Sequence, residues 1–138
     1  SKIESTHMVR IHSQIGSRIP ITYMGETKPI FFFMEDKEQE NLFLKRLEEG
    51  YGKSYIRNLY TLKEVKRQVK KDGYTLSDEE MYPNVIIIGC PIFGFEQKVL
   101  GAVNAPVPKI RSDKEKINEL IFHLKETARS ISQETGYL

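Results

Sequence analysis

Two long apolar runs, separated by a short polar turn, dominate the hydrophobic pattern of the chain. The first covers residues 85–93 and begins with four apolar residues in a row. The second covers residues 99–105, after a polar turn at residues 94–98. An unbroken apolar run is typical of a strand that is covered on both faces. Both runs are therefore predicted to be strands near the centre of one sheet.

A third apolar pattern, at helical spacing, occupies the carboxyl end of the chain. Its repeating positions are Ile117, Leu120, Ile121, Leu124, Ala128 and Ile131. Ser112 and Glu115 have the spacing of a capping box, and Gly136 follows the last apolar position. The predicted helix of ~20 residues is ~30 Å long, so it can cross a whole sheet face.

The first third of the chain predicts one strand and two short helices. Apolar and polar residues alternate over residues 8–12, as in a strand with one covered face. A short helix is predicted over residues 27–33, because proline is tolerated in a first helical turn. Asp36 and Gln39 have capping spacing and predict the next helix, which places Phe43 and Leu47 on one face and ends at residues 50–52.

One further helix is predicted from a capping box at Thr61 and Glu64 to Lys71, where Gly73 stops it. Its apolar positions are Leu62, Val65 and Val69. Its basic positions are Lys63, Lys66, Arg67, Lys70 and Lys71. This arrangement favours an amphipathic helix whose basic face is solvated.

Composition and charge narrow the class of protein. The length of 138 residues fits one domain, and 39% apolar and 29% charged residues are ordinary for a globular protein. No apolar run approaches the ~18 residues of a membrane-spanning helix, and no secretory signal is recognisable, so we expect a cytoplasmic protein without a membrane partner. The net charge of +2 lacks the clustered positive face that tight DNA binding requires.

Catalytic chemistry finds little support in the residue pattern. Cys90 is the single cysteine, and a nucleophilic role would need one of His7, His12 or His123 beside it. A small packed thiol is the more common reading after a buried apolar run. The carboxylates of residues 78–80 are adjacent rather than alternate, unlike a calcium loop, so a solvated loop or a helix start is favoured for this acidic segment. No catalytic residue, metal or cofactor is predicted, and a Cys-dependent enzyme is kept as an alternative.

Several short motifs follow the order and spacing of one known family. In the second half they are Gly73 and Tyr74, the acidic residues 78–80, an apolar strand ending at Pro91, a turn, and the second apolar run. In the first half they are Gly16, Arg18, Pro20 and Lys28. Thr27 and Pro29 depart from the pattern, since glycine and alanine are usual there. The chain resembles the regulatory domain of the IclR-type transcriptional regulators over most of its length.

The resemblance implies an α+β fold related to GAF and PAS sensing domains, with a mostly antiparallel sheet flanked by helices and a long C-terminal helix. It implies a homodimer or homotetramer that senses a small-molecule metabolite effector. DNA would be reached through a winged helix-turn-helix domain that residues 1–138 lack. The helix and strands that usually begin the regulatory domain are also expected to be missing, so the chain would be a single effector-binding domain.

The same resemblance implies an effector site between the sheet and the loop that opens the first helix. The residues carried over are Met24, Gly25, Glu26, Ser77, Ile87, Asn104 and Pro106. Backbone N–H groups of the loop could hold an anionic oxygen, but Glu26 adds negative charge there, and Ile87 and Pro106 donate nothing. We expect either a larger, less acidic ligand or an oligomerisation module that has lost its ligand, in which Asn104 and Ser77 only satisfy nearby backbone.

Overall fold

The computed structural model describes Ile3 and residues 14–50 and 56–137. The strand predicted over residues 8–12 lies outside these residues. The helices are α1 (Lys28–Phe33), α2 (Asp36–Glu49), α3 (Leu59–Asp72) and α4 (Lys114–Glu134). The strands are β1 (Thr75–Asp78), β2 (Val85–Phe93) and β3 (Val99–Pro108). The described part of the chain is thus an α+β fold with a long C-terminal helix.

The three strands form an antiparallel sheet in the order β1-β2-β3. β2 has the bounds predicted from its apolar run and lies between the other two strands, whereas β3 is the outer strand of the sheet formed by the described residues. The central position predicted for β2 is therefore confirmed, and that predicted for β3 is not found in this sheet. β1 was not predicted, because four residues are too few to show a clear alternation.

The two faces of β2 pack against different parts of the molecule. Ile86, Ile88 and Cys90 point to one face, where they pack against Leu124 and Ala128 of α4. The partly buried residues around this cluster include Ile117, Leu120 and Ile121, so the apolar positions predicted for the last helix do meet the sheet. Ile87 and Gly89 point to the opposite face, because successive side chains of a strand alternate.

A second core lies among the first three helices. It contains Met24, Phe31, Phe32, Phe43, Ile56, Leu62 and Val69. Phe31 and Phe32 meet edge to face, with ring centroids 5.2 Å apart. Phe43 and Leu47 are four residues apart within α2 and so lie on one helix face, as predicted, but Phe43 is buried and Leu47 is 40% exposed. Gln39 is buried in the core instead and donates from Nε2 to the carbonyl of Phe31 at 2.9 Å.

The helices begin at other capping residues than those predicted. The side chains that accept the first free N–H groups belong to Glu35 for α2, Asn58 for α3 and Asp113 for α4. The predicted caps have other partners: the Asp36 carboxylate pairs with Lys66, and the Ser112 hydroxyl donates to the carbonyl of Lys109. Thr61 lies inside α3, where its own N–H is the capped group. Gly50 and Gly73 end α2 and α3 in the left-handed conformation, as predicted.

Lys66 departs from the solvated face predicted for α3. It is 7% exposed, and its Nζ donates to the carbonyl of Met34 at 2.9 Å and pairs with Asp36 at 2.5 Å. Lys63, Arg67, Lys70 and Lys71 are exposed, as predicted. The end of α1 therefore receives a charged hydrogen bond from α3, which the spacing of basic residues alone could not indicate.

Candidate functional site

The loop that precedes α1 lies against the sheet face opposite α4. Gly25 has φ +94°, and a Cβ atom there would lie 2.8 Å from Met81 Cβ and 3.3 Å from Ile87 Cδ1. Its N–H donates to the Ser77 hydroxyl at 3.0 Å. The absence of a side chain at residue 25 therefore permits this close approach of the loop to β1 and β2.

Asn104 ties the same loop to β3. Its Nδ2 donates to the carbonyl of Glu26 at 3.1 Å. Asn104 is paired with Gly89 across the sheet, and a Cβ atom at Gly89 would overlap both Asn104 Oδ1 and Pro29 Cγ. Because Gly89 has no side chain, the amide of Asn104 and the first turn of α1 can both pack against this sheet face.

The structure places the seven predicted site residues as follows. Gly25, Glu26, Ser77, Ile87 and Asn104 come together at the contact between the loop and the sheet. Pro106 is paired with Ile87 in the register but is exposed. The side chain of Met24 belongs to the helical core, and the N–H of Gly25 is already bonded to Ser77. An anionic oxygen would therefore have to displace a hydrogen bond to use that N–H group.

A buried ion pair closes one side of this contact. Lys28 Nζ lies 2.8 Å from Glu80 Oε1 and donates to the carbonyl of Leu76 at 2.9 Å, and the two side chains are 4% and 12% exposed. The Ser77 hydroxyl donates to the other oxygen of Glu80 at 3.4 Å. Asp78, the last residue of β1, and Glu79 are exposed beside Lys109, as expected for a solvated acidic segment. The expectation of a solvated carboxylate is wrong for Glu80.

Three residues of this region each carry a buried polar atom without a hydrogen-bond partner among the described residues. These atoms are Glu26 Oε2, Thr27 Oγ1 and Asn104 Oδ1. The Tyr82 side chain hydrogen-bonds to Glu26, and burial, together with the negative charge of Glu26 and this bond, raises the pKa of the Tyr82 hydroxyl. We call Glu26, Thr27 and Asn104 the acceptor cluster.

Sequence reasoning missed Thr27, Lys28, Glu80 and Tyr82 as members of this region. Lys28 belongs to the family motif and Thr27 departs from it, but the sequence pattern gives neither residue a role at the site. A buried charge shows no periodic signal, because its partner comes from a distant part of the chain. Tyr82 follows the acidic residues by two positions, and its hydroxyl can donate to a carboxylate, so the sequence offered this residue as a candidate for the region.

The thiol of Cys90 lies on the other face of the sheet. It is 1% exposed, and burial raises its pKa to about 11, although Lys125 acts in the opposite direction. His123 is exposed and lies 3.9 Å from Glu119, and the other two histidines are outside the described residues. Within the described ranges, no group of metal-binding side chains is assembled.

These features define a class: an α+β domain in which a loop makes polar contacts with an antiparallel sheet. A family model described as "Bacterial transcriptional regulator IclR C-terminal" matches residues 1–133. The chain therefore belongs to the IclR family of transcriptional regulators, as the C-terminal domain. The resemblance inferred from the motifs and the predicted fold class are both confirmed.

Individual relatives agree with this assignment. The chain is 28% identical over 139 residues to the HTH-type transcriptional regulator KdgR of Escherichia coli K12, covering 99% of this chain and 52% of KdgR. It is 28% identical over 137 residues to the regulator KipR of Bacillus subtilis, covering 99% of this chain and 54% of KipR. The chain thus spans about half the length of these curated relatives.

A solved structure shows the same fold. The crystal structure of the Thermotoga maritima IclR superimposes with a TM-score of 0.86 at 26% identity, covering 99% of this chain and 56% of that one. The relatives are named as transcriptional regulators rather than enzymes. Among the helices described here, none combines the length and apolar character needed to cross a bilayer.

Proposed function

We propose that this domain senses a small-molecule effector for an IclR-family regulator and takes part in its oligomerisation in the bacterial cytoplasm. The observation that carries the proposal is the acceptor cluster, in which each residue has one buried polar atom without a hydrogen-bond partner among the described residues. Native proteins rarely leave buried polar atoms unpaired, and a ligand is one way to satisfy them. DNA recognition would belong to another part of the regulator.

The same contact suggests how binding would be transmitted. Two hydrogen bonds, Gly25 to Ser77 and Asn104 to Glu26, fasten the loop to the sheet immediately before α1. A ligand that enters there changes the position of the loop, and with it α1 and the helical core. It can shift the arrangement of subunits only if its affinity differs between the two arrangements.

A ligand-free oligomerisation module is the second candidate. It is favoured by the fact that Ser77 and the amide nitrogen of Asn104 already bond to the backbone of the loop. A Cys90-dependent enzyme is disfavoured, because a buried thiol with a raised pKa supplies little thiolate at neutral pH.

A thermal-shift screen with small carboxylic acids, sugar acids, sugars, amines and aromatic metabolites separates the two candidates. A sensor gains stability as the ligand concentration rises, by ~2.7 kcal/mol at a hundred times Kd. Asn104→Ala is expected to reduce the ligand-induced rise in Tm, measured from its own ligand-free value. Asn118→Ala, at an exposed position on α4, should keep the full rise.

Two results would contradict the sensing proposal. One is a screen in which no compound raises Tm while light scattering still shows an oligomer, which favours the ligand-free module. The other is a rise that Asn104→Ala and Asn118→Ala leave equally unchanged, which places the ligand elsewhere.

A further inference from the structure

We infer that the site selects a ligand that donates hydrogen bonds, through hydroxyl or ammonium groups, and discriminates against a carboxylate at the same place. The inference rests on the proposed sensing function and names the ligand class. It follows from the chemistry of the acceptor cluster, in which Glu26 Oε2 and Asn104 Oδ1 can only accept and Thr27 Oγ1 can either accept or donate.

Glu26 is the strongest member of the cluster. An ionised carboxylate has acceptor sites on both oxygens and no donor. Tyr82 supplies a hydrogen bond to this carboxylate, yet Oε2 remains buried without a partner. No salt bridge joins Glu26 to a basic side chain among the described residues. A ligand carboxylate beside it would meet uncompensated like charge, whereas a hydroxyl or ammonium group would satisfy it.

Asn104 is held so that it presents an acceptor. Its Nδ2 is committed to the carbonyl of Glu26, and a flipped amide would set two oxygens against each other. Its Oδ1 lies over Gly89, where a Cβ atom would overlap it. The unpaired carbonyl oxygen is therefore fixed by a hydrogen bond on one side and by the sheet backbone on the other.

Thr27 adds a third polar group next to Glu26 in the chain. It is 9% exposed, and although it precedes the first residue of α1, its hydroxyl makes no capping hydrogen bond. The hydroxyl therefore does not cap α1, and it can form a hydrogen bond to a ligand.

The nearby cations do not reverse this preference. Lys28 is bound to Glu80 and to the carbonyl of Leu76. Arg46 also feels the charge of Glu80, which opposes the burial that lowers the pKa of the guanidinium. Lys28 and Arg46 together carry two positive charges against the one negative charge of Glu80, but neither forms an ion pair with Glu26 among the described residues.

The test uses three probes with one carbon skeleton and different charge at C1: gluconate, glucitol and glucamine. Binding to the parent protein, Glu26→Gln and Thr27→Val is measured by calorimetry and thermal shift, alongside the metabolite screen. Glu48→Gln, at an exposed position on α2, is the matched control. Without ligand, Thr27→Val should be at least as stable as the parent because it removes a buried unpaired hydroxyl. Glu26→Gln should also be at least as stable, because it removes a buried charge while keeping a polar group.

Glucamine and glucitol are expected to bind the parent more tightly than gluconate. Glu26→Gln should weaken glucamine binding by about tenfold or more and reduce the discrimination against gluconate. Thr27→Val should weaken the donor probes by about threefold to tenfold, and Glu48→Gln should change nothing.

Two other outcomes would contradict the preference for donor ligands and the sensing function, respectively. If carboxylates bind the parent best and Glu26→Gln leaves their affinity unchanged, the preference for donors is wrong while sensing survives. If neither the three probes nor any compound in the screen binds the parent or its variants, the sensing function fails and this inference fails with it.

Discussion

At the scale of single residues, the buried pair of Lys28 and Glu80 is energetically costly. Taking two charges out of water carries a desolvation penalty that good geometry and further hydrogen bonds must offset. Both conditions are met, since the carbonyl of Leu76 and the hydroxyl of Ser77 complete the pair. Changing Glu80 would leave the ammonium group of Lys28 buried without its carboxylate partner.

We therefore expect Glu80→Gln to lower the free energy of unfolding by about 3 kcal/mol. Asp78→Asn is the matched control, because Asp78 lies on the same segment and its pair with Lys109 is exposed. That control should show little or no change, as is usual for surface pairs. Urea denaturation measures both variants, and equal losses would show that the buried pair has no special weight.

At the scale of elements, the position of the loop on the sheet depends on a glycine. Gly25→Ala adds a methyl group 2.8 Å from Met81 Cβ at a residue with φ +94°. Gly16→Ala separates the two effects, because Gly16 has φ +87° and no atom lies within 4 Å of the position that its Cβ would take. Urea denaturation should show a loss of about 1 kcal/mol for Gly16→Ala and about 2–3 kcal/mol for Gly25→Ala. Equal losses would mean that the loop is not closely packed there.

The elements also show what the sequence could predict. The apolar run of β2 and the helical repeat of α4 are strong periodic signals, and both elements were found where they were predicted. Capping residues were misassigned because several polar residues lie near each helix start. At α2, the carboxylate of Asp36 pairs with Lys66, and Glu35 caps the helix instead. Ser77, Ile87 and Asn104 were placed by family resemblance, whereas Tyr82 depends on a contact that no local pattern encodes.

At the scale of the whole molecule, the distribution of charge determines what the chain can bind by itself. The basic face of α3 is accompanied by acidic partners on α2 and on α3 itself: Glu40 lies 3.6 Å from Lys63, and Glu64 lies 2.6 Å from Arg67. With Lys66 paired to Asp36, Lys70 and Lys71 are the two basic residues of this face that form no ion pair among the described residues. Binding to DNA needs several such charges acting together, because affinity depends on the number of phosphates neutralised.

The chain alone is therefore expected to bind duplex DNA more weakly than about 10⁻⁴ M at physiological salt, as measured by fluorescence anisotropy. A Glu40→Gln/Glu64→Gln variant exposes the charges of Lys63 and Arg67, so its binding at low salt should increase and should fall again as salt is added. Micromolar binding by the unaltered chain would contradict this account, because it would show that residues 1–138 already carry a DNA-binding surface.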